Sequence, residues 1–429
     1  MRGIGAIGGR DKNEALVIRG ACCALGPDQN EHCTMHISGG RIASIALGAK
    51  NAFVAESGAK SEVEIDLSGY LLLPGLINAH DHLEFALYPR MGNPPYENYV
   101  DWGEDIHKIF CDAIAEQHEI PKGVRTWWGG LRNLLCGVTT VAHHNPLLPQ
   151  MPGDDFPVRV VQDYGWAHSL ALGGDLRAAR AATPPGHAFI VHACEGVDEL
   201  ARGEIRDLDE MGLLDESMVL VHGLALDKSG VALMKERGAA LIVCPSSNYF
   251  LFQKVPDLRL LGGLERVALG SDSPLTAAGD LLDEVWFAIH ICDVSPREAY
   301  RMVTEVPAAI LRLSDSEGFI RESGIADLIA VRDTGKNQAE RLRTLSMDDI
   351  ELVLLGGRVQ LASDAMLGRL PPADKQELEP LTIGTVIRWL RAPVDELLRD
   401  AETVLGTGHV RLGGRAVCAA TTLEVEHAC

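Results

Sequence analysis

The stretch from Tyr70 to His82, YLLLPGLINAHDH, decides the fold. Its opening run, Leu71-Leu72-Leu73, is continuously apolar, the pattern of a strand covered on both faces. Pro74 and Gly75 punctuate the run, and Leu76-Ile77-Asn78 carries the chain on to His80-Asp81-His82. On an extended backbone residues i and i+2 point the same way. His80 and His82 therefore face one side at the mouth of a buried sheet, as metal ligands or as ordinary polar residues leaving a strand.

Outward from this stretch, near-continuous apolar strands alternate with helical patterns. Strands are expected at 70–79, 137–142, 157–163, 188–192, 218–222, 239–244 and 266–270. Repeated strand-then-helix units of this kind build a parallel sheet. Closure of a barrel needs an eighth strand, and the gap between Trp166 and His187 is its expected place. Residues 172–185 there carry no convincing apolar run, so the barrel is expected to be distorted or thinned at that point. The fold class expected is α/β: a distorted (β/α)8, TIM-like barrel with a small β-sandwich domain built from both chain ends. Short strands at Ala15–Leu25, His32–Ser38, 41–47 and Val63–Leu67 open that domain. Gly324–Val331, Ile350–Leu355 and Arg358–Leu361 complete it, and a helical region is expected over Thr382–Leu405 before the strand-like HVRLGGRAV. The expected boundaries are 1–72 for the first part of the β domain, 73–319 for the barrel and 320–429 for the completion and a helical segment.

Bulk properties narrow the class. With 429 residues the chain buries a large core, and 60 acidic against 39 basic side chains give a formal charge of -21. That balance argues against nucleic acid and anionic membranes, both of which reward clustered Lys and Arg. No apolar run reaches the length of a membrane span. The opening MRGIGAIGGRDKNE lacks a signal-peptide core, and the ten scattered cysteines show no scaffold spacing. Reduced thiols and a cytoplasmic location are the expectation.

The polar residues gather where successive strands end: His80 and His82, His192 with Glu195, His222 and Asp272. Barrel enzymes keep their chemistry at that edge. Three histidines and one aspartate would suit zinc or iron(II) and leave a coordination position for water. Glu195 reads either as an active carboxyl or as a helix-start residue satisfied by nearby N–H groups. The aromatic loop 85–102, with Phe85, Tyr96 and Trp102, reads as a binding loop or as packing. His143-His144 stands at a neighbouring strand end with no assigned role beyond substrate contact or packing. In CPSSN and beyond, Ser246, Asn248 and Phe250 are candidates to line a pocket, as is Ser273 beside Asp272.

PGLINAHDH, GVTTV, VHACEG, VLVHG, CPSSN and LGSDS follow one another in an order that resembles the amidohydrolase superfamily, in the branch of cytosine, guanine and S-adenosylhomocysteine deaminases and triazine chlorohydrolases. The resemblance covers nearly the whole chain. It implies a metal-binding barrel in which His80, His82, His192 and Asp272 hold the ion. It implies that Glu195 carries a proton to substrate and that His222 contacts the attacking water or the developing tetrahedral centre. No lysine occurs between Lys122 and Lys228, which removes the carboxylated-lysine bridge of two-metal relatives. One divalent ion is expected, Zn2+ before Fe2+.

The expected function is a metal-dependent aminohydrolase that releases ammonia from a nitrogen heterocycle. The alternatives are hydrolysis of a cyclic amide, N-acyl or other C–N or C–X bond on the same scaffold, and a non-catalytic binding protein. A small-molecule substrate is expected, with neither nucleic acid nor membrane as partner, and self-association as a homodimer or higher homo-oligomer.

Overall fold

The computed structural model describes residues 15–48 and 63–420; the reading of the opening segment lies outside them. Eight parallel strands form the barrel: β1 (Leu76–Asp81), β2 (Val138–His143), β3 (Arg159–Val160), β4 (Gly165–Ser169), β5 (Phe189–Ala193), β6 (Met218–His222), β7 (Ala240–Val243) and β8 (Val267–Leu269). They hydrogen-bond as two arcs, β1-β2-β3 and β4 to β8 in order. At one seam the Asp272 N–H donates to the His80 carbonyl at 3.1 Å, tying the end of β8 to β1.

The eighth strand stands at the front of the expected gap, over Gly165–Ser169. Residues 157–169 split at the turn around Asp163-Tyr164 into β3 and β4, while Leu176–Ala182 is a helix capped by Asp175. The thinning falls on β3, which has only two residues. The leading apolar run also divides at Pro74-Gly75. Tyr70–Pro74 leaves the barrel and pairs antiparallel with Leu328–Arg332, Leu73 opposite Ile329, and parallel with Leu16–Ala24. That strand joins the front and back of the chain into one twelve-stranded sheet.

Three other expectations change. Thr382–Leu405 is not one helix: Glu379–Ile383 and Val386–Leu390 form a hairpin about Gly384, and the helix covers Val394–Leu405. The loop after His82 ends early in two helices, α1 (Tyr99–Ile109) and α2 (Cys111–Glu119). The Asn98 side chain caps α1 by accepting the N–H groups of Val100 and Asp101. Not all thiols are reduced: Cys23 and Cys33 form a disulfide, because the hairpin register of the first two strands brings their Cα atoms to 6.2 Å. Among the described residues no helix is long and apolar enough to cross a membrane.

Close approach of β8 to β1 depends on Gly270. A Cβ there would stand 2.6 Å from the Cβ of His80 and 3.0 Å from its carbonyl oxygen. Gly270→Ala is expected to cost about 1–3 kcal/mol by overpacking and to weaken metal binding by displacing His80. Thermal melts and chelator competition check both effects.

Candidate metal centre

Strand alternation sends His80 and His82 to the same side of β1, and β5 supplies His192 from across the barrel mouth. All three are buried. One ligand nitrogen from each lies within 4.8 Å of the others, and the Nε2 atoms of His80 and His192 are 3.1 Å apart. The His192 Nδ1–H donates to the His168 carbonyl at 2.7 Å, which leaves its Nε2 with a bare lone pair. The amide of Asn145 lies 3.1 Å from His82 Nδ1 and fixes that ring. Burial, then neighbouring imidazoles, holds His80 and His192 well below the ordinary histidine range, so both rings are neutral as ligation requires. This donor set fits a divalent cation; His80, His82 and His192 form a divalent-metal site.

Asp272 follows β8 in a left-handed conformation, φ 50°. That backbone turns its Oδ1 to within 3.7 Å of His82 Nε2 and 3.9 Å of His80 Nε2. Its Oδ2 accepts the Ser247 hydroxyl at 2.8 Å and the Thr276 hydroxyl at 3.2 Å, and the Ser273 N–H donates to Oδ1 at 2.7 Å. Burial opposes its charge, yet His222, His82 and these donors keep the carboxyl below its ordinary value.

His222 ends β6 in another left-handed turn, φ 77°. Asn248 Nδ2 donates to its Nδ1 at 3.1 Å, so its Nε2 carries the proton and faces Glu195 Oε2 at 3.6 Å. Burial pushes His222 down to about 4. Glu195 reaches the site through Cys194, whose φ is 56°. The next helix is capped by Asp198, so Glu195 is left to the cavity. Burial first, then Asp272 and Glu204, pushes its carboxyl well above the usual range.

A cavity of about 260 Å³ opens over these groups. Of the residues singled out in the sequence, His82, His192, Glu195, His222, Asp272, Phe85, Trp102 and Ser273 line it. His80 stands just outside the lining, its Nε2 3.1 Å from that of His192, and six others stand away from the cavity. Tyr96 donates its hydroxyl to Asp105, His143 accepts the Leu83 N–H at 3.2 Å, and His144 donates to the Ala167 carbonyl at 3.0 Å. Ser246 is bonded to the buried carboxyl of Glu284, Asn248 lies behind His222, and Phe250 stacks beneath Arg90 at 4.9 Å. CPSSN starts the helix Pro245–Phe252 instead of a loop, which turns these side chains into the barrel wall.

Tyr88 and Tyr99, within the aromatic loop read as a binding loop, also line the cavity, whereas sequence reading missed Ile106, Ile114, Leu275 and His168 there. His168 carried a usable signal: it stands near the end of β4 as His192 does near the end of β5, and it was hidden because no strand was assigned to 165–169 within the expected gap. Burial pushes its ring down to about 4. The aromatic and aliphatic residues come from α1, α2 and the turn before them, which fold over the mouth as a cap, and from Leu275 in the segment after β8. Tyr99 is anchored there by donating its hydroxyl to Glu204 at 2.8 Å.

Comparison with known proteins agrees with this geometry. The sequence model of the amidohydrolase family matches residues 167–359. The 5-methylthioadenosine/S-adenosylhomocysteine deaminase of Pyrococcus furiosus is 33% identical over 330 residues, covering 64% of this chain and 77% of that one. The chain belongs to the amidohydrolase family. A second relative of that name, from Syntrophobacter fumaroxidans, is 26% identical over 72% of this chain and 80% of its own. Among solved amidohydrolase-like folds, the zinc complex of atrazine chlorohydrolase from Arthrobacter aurescens TC1 superposes with TM-score 0.69 at 17% identity, covering 91% of this chain and 99% of that one. A zinc-bound adenosine deaminase from Xanthomonas campestris gives 0.62 at 17% identity, covering 91% and 97%. With its metal site, the family places this protein among metal-dependent hydrolases acting on carbon–nitrogen bonds.

Proposed function

We propose that this protein is a zinc aminohydrolase that releases ammonia from an amidine-like carbon of a nitrogen heterocycle, with Asp272 as the fourth ligand. The observation that carries the reading is Glu195: a buried carboxyl whose pKa burial pushes well above the usual range, 3.6 Å from His222 and lining the same cavity as His82, His192 and Asp272. When bound, the cation supplies Lewis acidity and lowers the pKa of water to about 7.

The residues divide the remaining work. Asp272 receives the proton of the attacking water, its charge steadied by two hydroxyls and one N–H. Glu195 protonates the ring nitrogen beside the carbon under attack, which makes the C=N carbon electrophilic. Glu195 then takes back the remaining hydroxyl proton of the tetrahedral carbon as the C=O bond forms. Asp272 gives the proton it holds to the departing amine as the C–N bond breaks, so ammonia leaves and both carboxyls return to their starting states. The His222 Nε2–H stabilises negative charge on the entering oxygen, in the tautomer that Asn248 sets. The cap of Phe85, Tyr88, Trp102, Ile106, Ile114 and Leu275 offers flat apolar surface to a planar ring and excludes water.

The described lining contains no lysine or arginine. A substrate arm bearing a carboxylate finds no cationic partner there, whereas a neutral thioether arm packs on the apolar cap. The test is ammonia release by the zinc-loaded enzyme across aminopurine nucleosides, pterins and pyrimidines. 5-Methylthioadenosine is expected to exceed S-adenosylhomocysteine at least about tenfold in kcat/KM, a difference of about 1.4 kcal/mol. A zinc-loaded protein that releases ammonia from none of these substrates would overturn the reading.

A further inference from the structure

Behind the metal site, on the side away from the cavity, lies a buried ion pair that the chemistry does not use. Alternation along β1 turns Asp81 away from its two histidine neighbours into a space sealed from solvent. The residue that meets it there is Arg132, on helix α3 (Lys122–Leu135), also almost fully buried. Arg132 Nη2 stands 2.9 Å from Asp81 Oδ2, 2.9 Å from the Ser271 hydroxyl and 2.7 Å from the Asp272 carbonyl oxygen. Its Nη1 donates to the Gly279 carbonyl at 2.9 Å.

Two asparagines close the network. Asn133 Nδ2 donates to Asp81 Oδ2 at 2.6 Å, and Asn78 Nδ2 donates to Asn133 Oδ1 at 2.8 Å and to the Ser271 hydroxyl at 2.7 Å. The Ser271 N–H donates back to Asn78 Oδ1 at 3.0 Å. One planar guanidinium thus bridges the turn that carries the His80–His82 pair and the turn that carries Asp272. Those turns come from the first and last barrel strands, nearly two hundred residues apart, and left-handed Asp272 persists only if its surroundings hold it. Burial alone would weaken the Arg132 charge, but Asp81 outweighs it and raises the group above its ordinary value.

We propose that Arg132 is a positioning residue for the metal, setting the spacing between the His80–His82 pair and the Asp272 carboxylate through Asp81 and the Asp272 carbonyl. The proposal rests on the assignment of Asp272 as a ligand. A lysine at 132 would keep the charge opposite Asp81 but lose the fork that reaches two turns at once.

The test uses the full chain, reconstituted with zinc or cobalt(II). Zinc affinity is read by chelator competition, and ligand geometry by the visible d–d bands of the cobalt protein, which a merely structural role would not move in a folded variant. Arg132→Lys is expected to fold, to lose about 10–100-fold in zinc affinity and to show shifted, weakened cobalt bands. Arg132→Met with Asp81→Asn removes both charges, leaves no lone buried ion and is expected to behave the same way. A folded variant of either kind with wild-type bands and affinity within twofold would overturn the proposal. So would failure of both variants to fold, which would make Arg132 structural only. Asp272→Ala is the control: wild-type cobalt bands there would remove Asp272 from the ligand set and sink both readings, whereas altered bands there with unaltered Arg132→Lys bands would sink this one alone.

Discussion

Glu195→Gln is expected to lower kcat by about 10²–10⁴-fold while leaving metal content and melting temperature near wild type. The amide fills the same space 3.6 Å from His222 but has no proton to give. Burial raises the Glu195 pKa, so the group is protonated and active below that value and loses function as pH climbs through it. The wild-type pH profile should therefore carry a basic limb that the variant lacks. A variant retaining more than a tenth of wild-type turnover would remove Glu195 from the proton path. Equal loss of metal would instead place it in the ligand set.

The second large effect is on the ion itself. Replacing both His80 and His82 by alanine leaves His192 and Asp272 as the only donors from the proposed set. Metal analysis of the purified variant should find the site empty, with hydrolysis at background. Binding to the folded state alone contributes RT ln(1 + [L]/Kd), about 4 kcal/mol at a thousandfold excess over Kd. Chelator should therefore depress the wild-type melting temperature and leave that of the variant unchanged. A variant that keeps one equivalent of tightly held metal would place the ion elsewhere.

What could be read in advance follows from which signals are local. The barrel strands announce themselves because burial on both faces leaves unbroken apolar runs such as MVLVHG, and the histidines stand out as polar residues ending such runs. Tyr70–Pro74 and Leu76–Asp81 look like one strand because both halves are apolar; only tertiary pairing with Leu328–Arg332 separates them. Ile383, Val386, Ile387 and Leu390 fit a helical period by accident. The β-branched side chains of Ile383, Val386 and Ile387 and the turn at Gly384 decide for a hairpin, where Leu390 sits opposite Leu361 of a neighbouring strand. The aliphatic part of the cap stayed hidden for another reason: Ile106, Ile114 and Leu275 form a wall only when α1 and α2 fold across the mouth, and no spacing along the chain records that approach. Pro245 did offer a usable sign, since proline favours the first turn of a helix, and a helix there carries Ser246 and Asn248 out of the cavity lining.

The pairing of Leu71–Leu73 with Ile329–Val331 has a consequence for how the molecule is born. During translation, Tyr70–Pro74 leaves the ribosome long before its antiparallel neighbour exists, and its apolar edge stays open while the whole barrel is being made. Contacts so distant along the chain form slowly, and an open edge invites pairing with other chains. A nascent chain halted before Leu328 should thus stick to chaperones or to its own copies, and release should coincide with emergence of Leu328–Arg332.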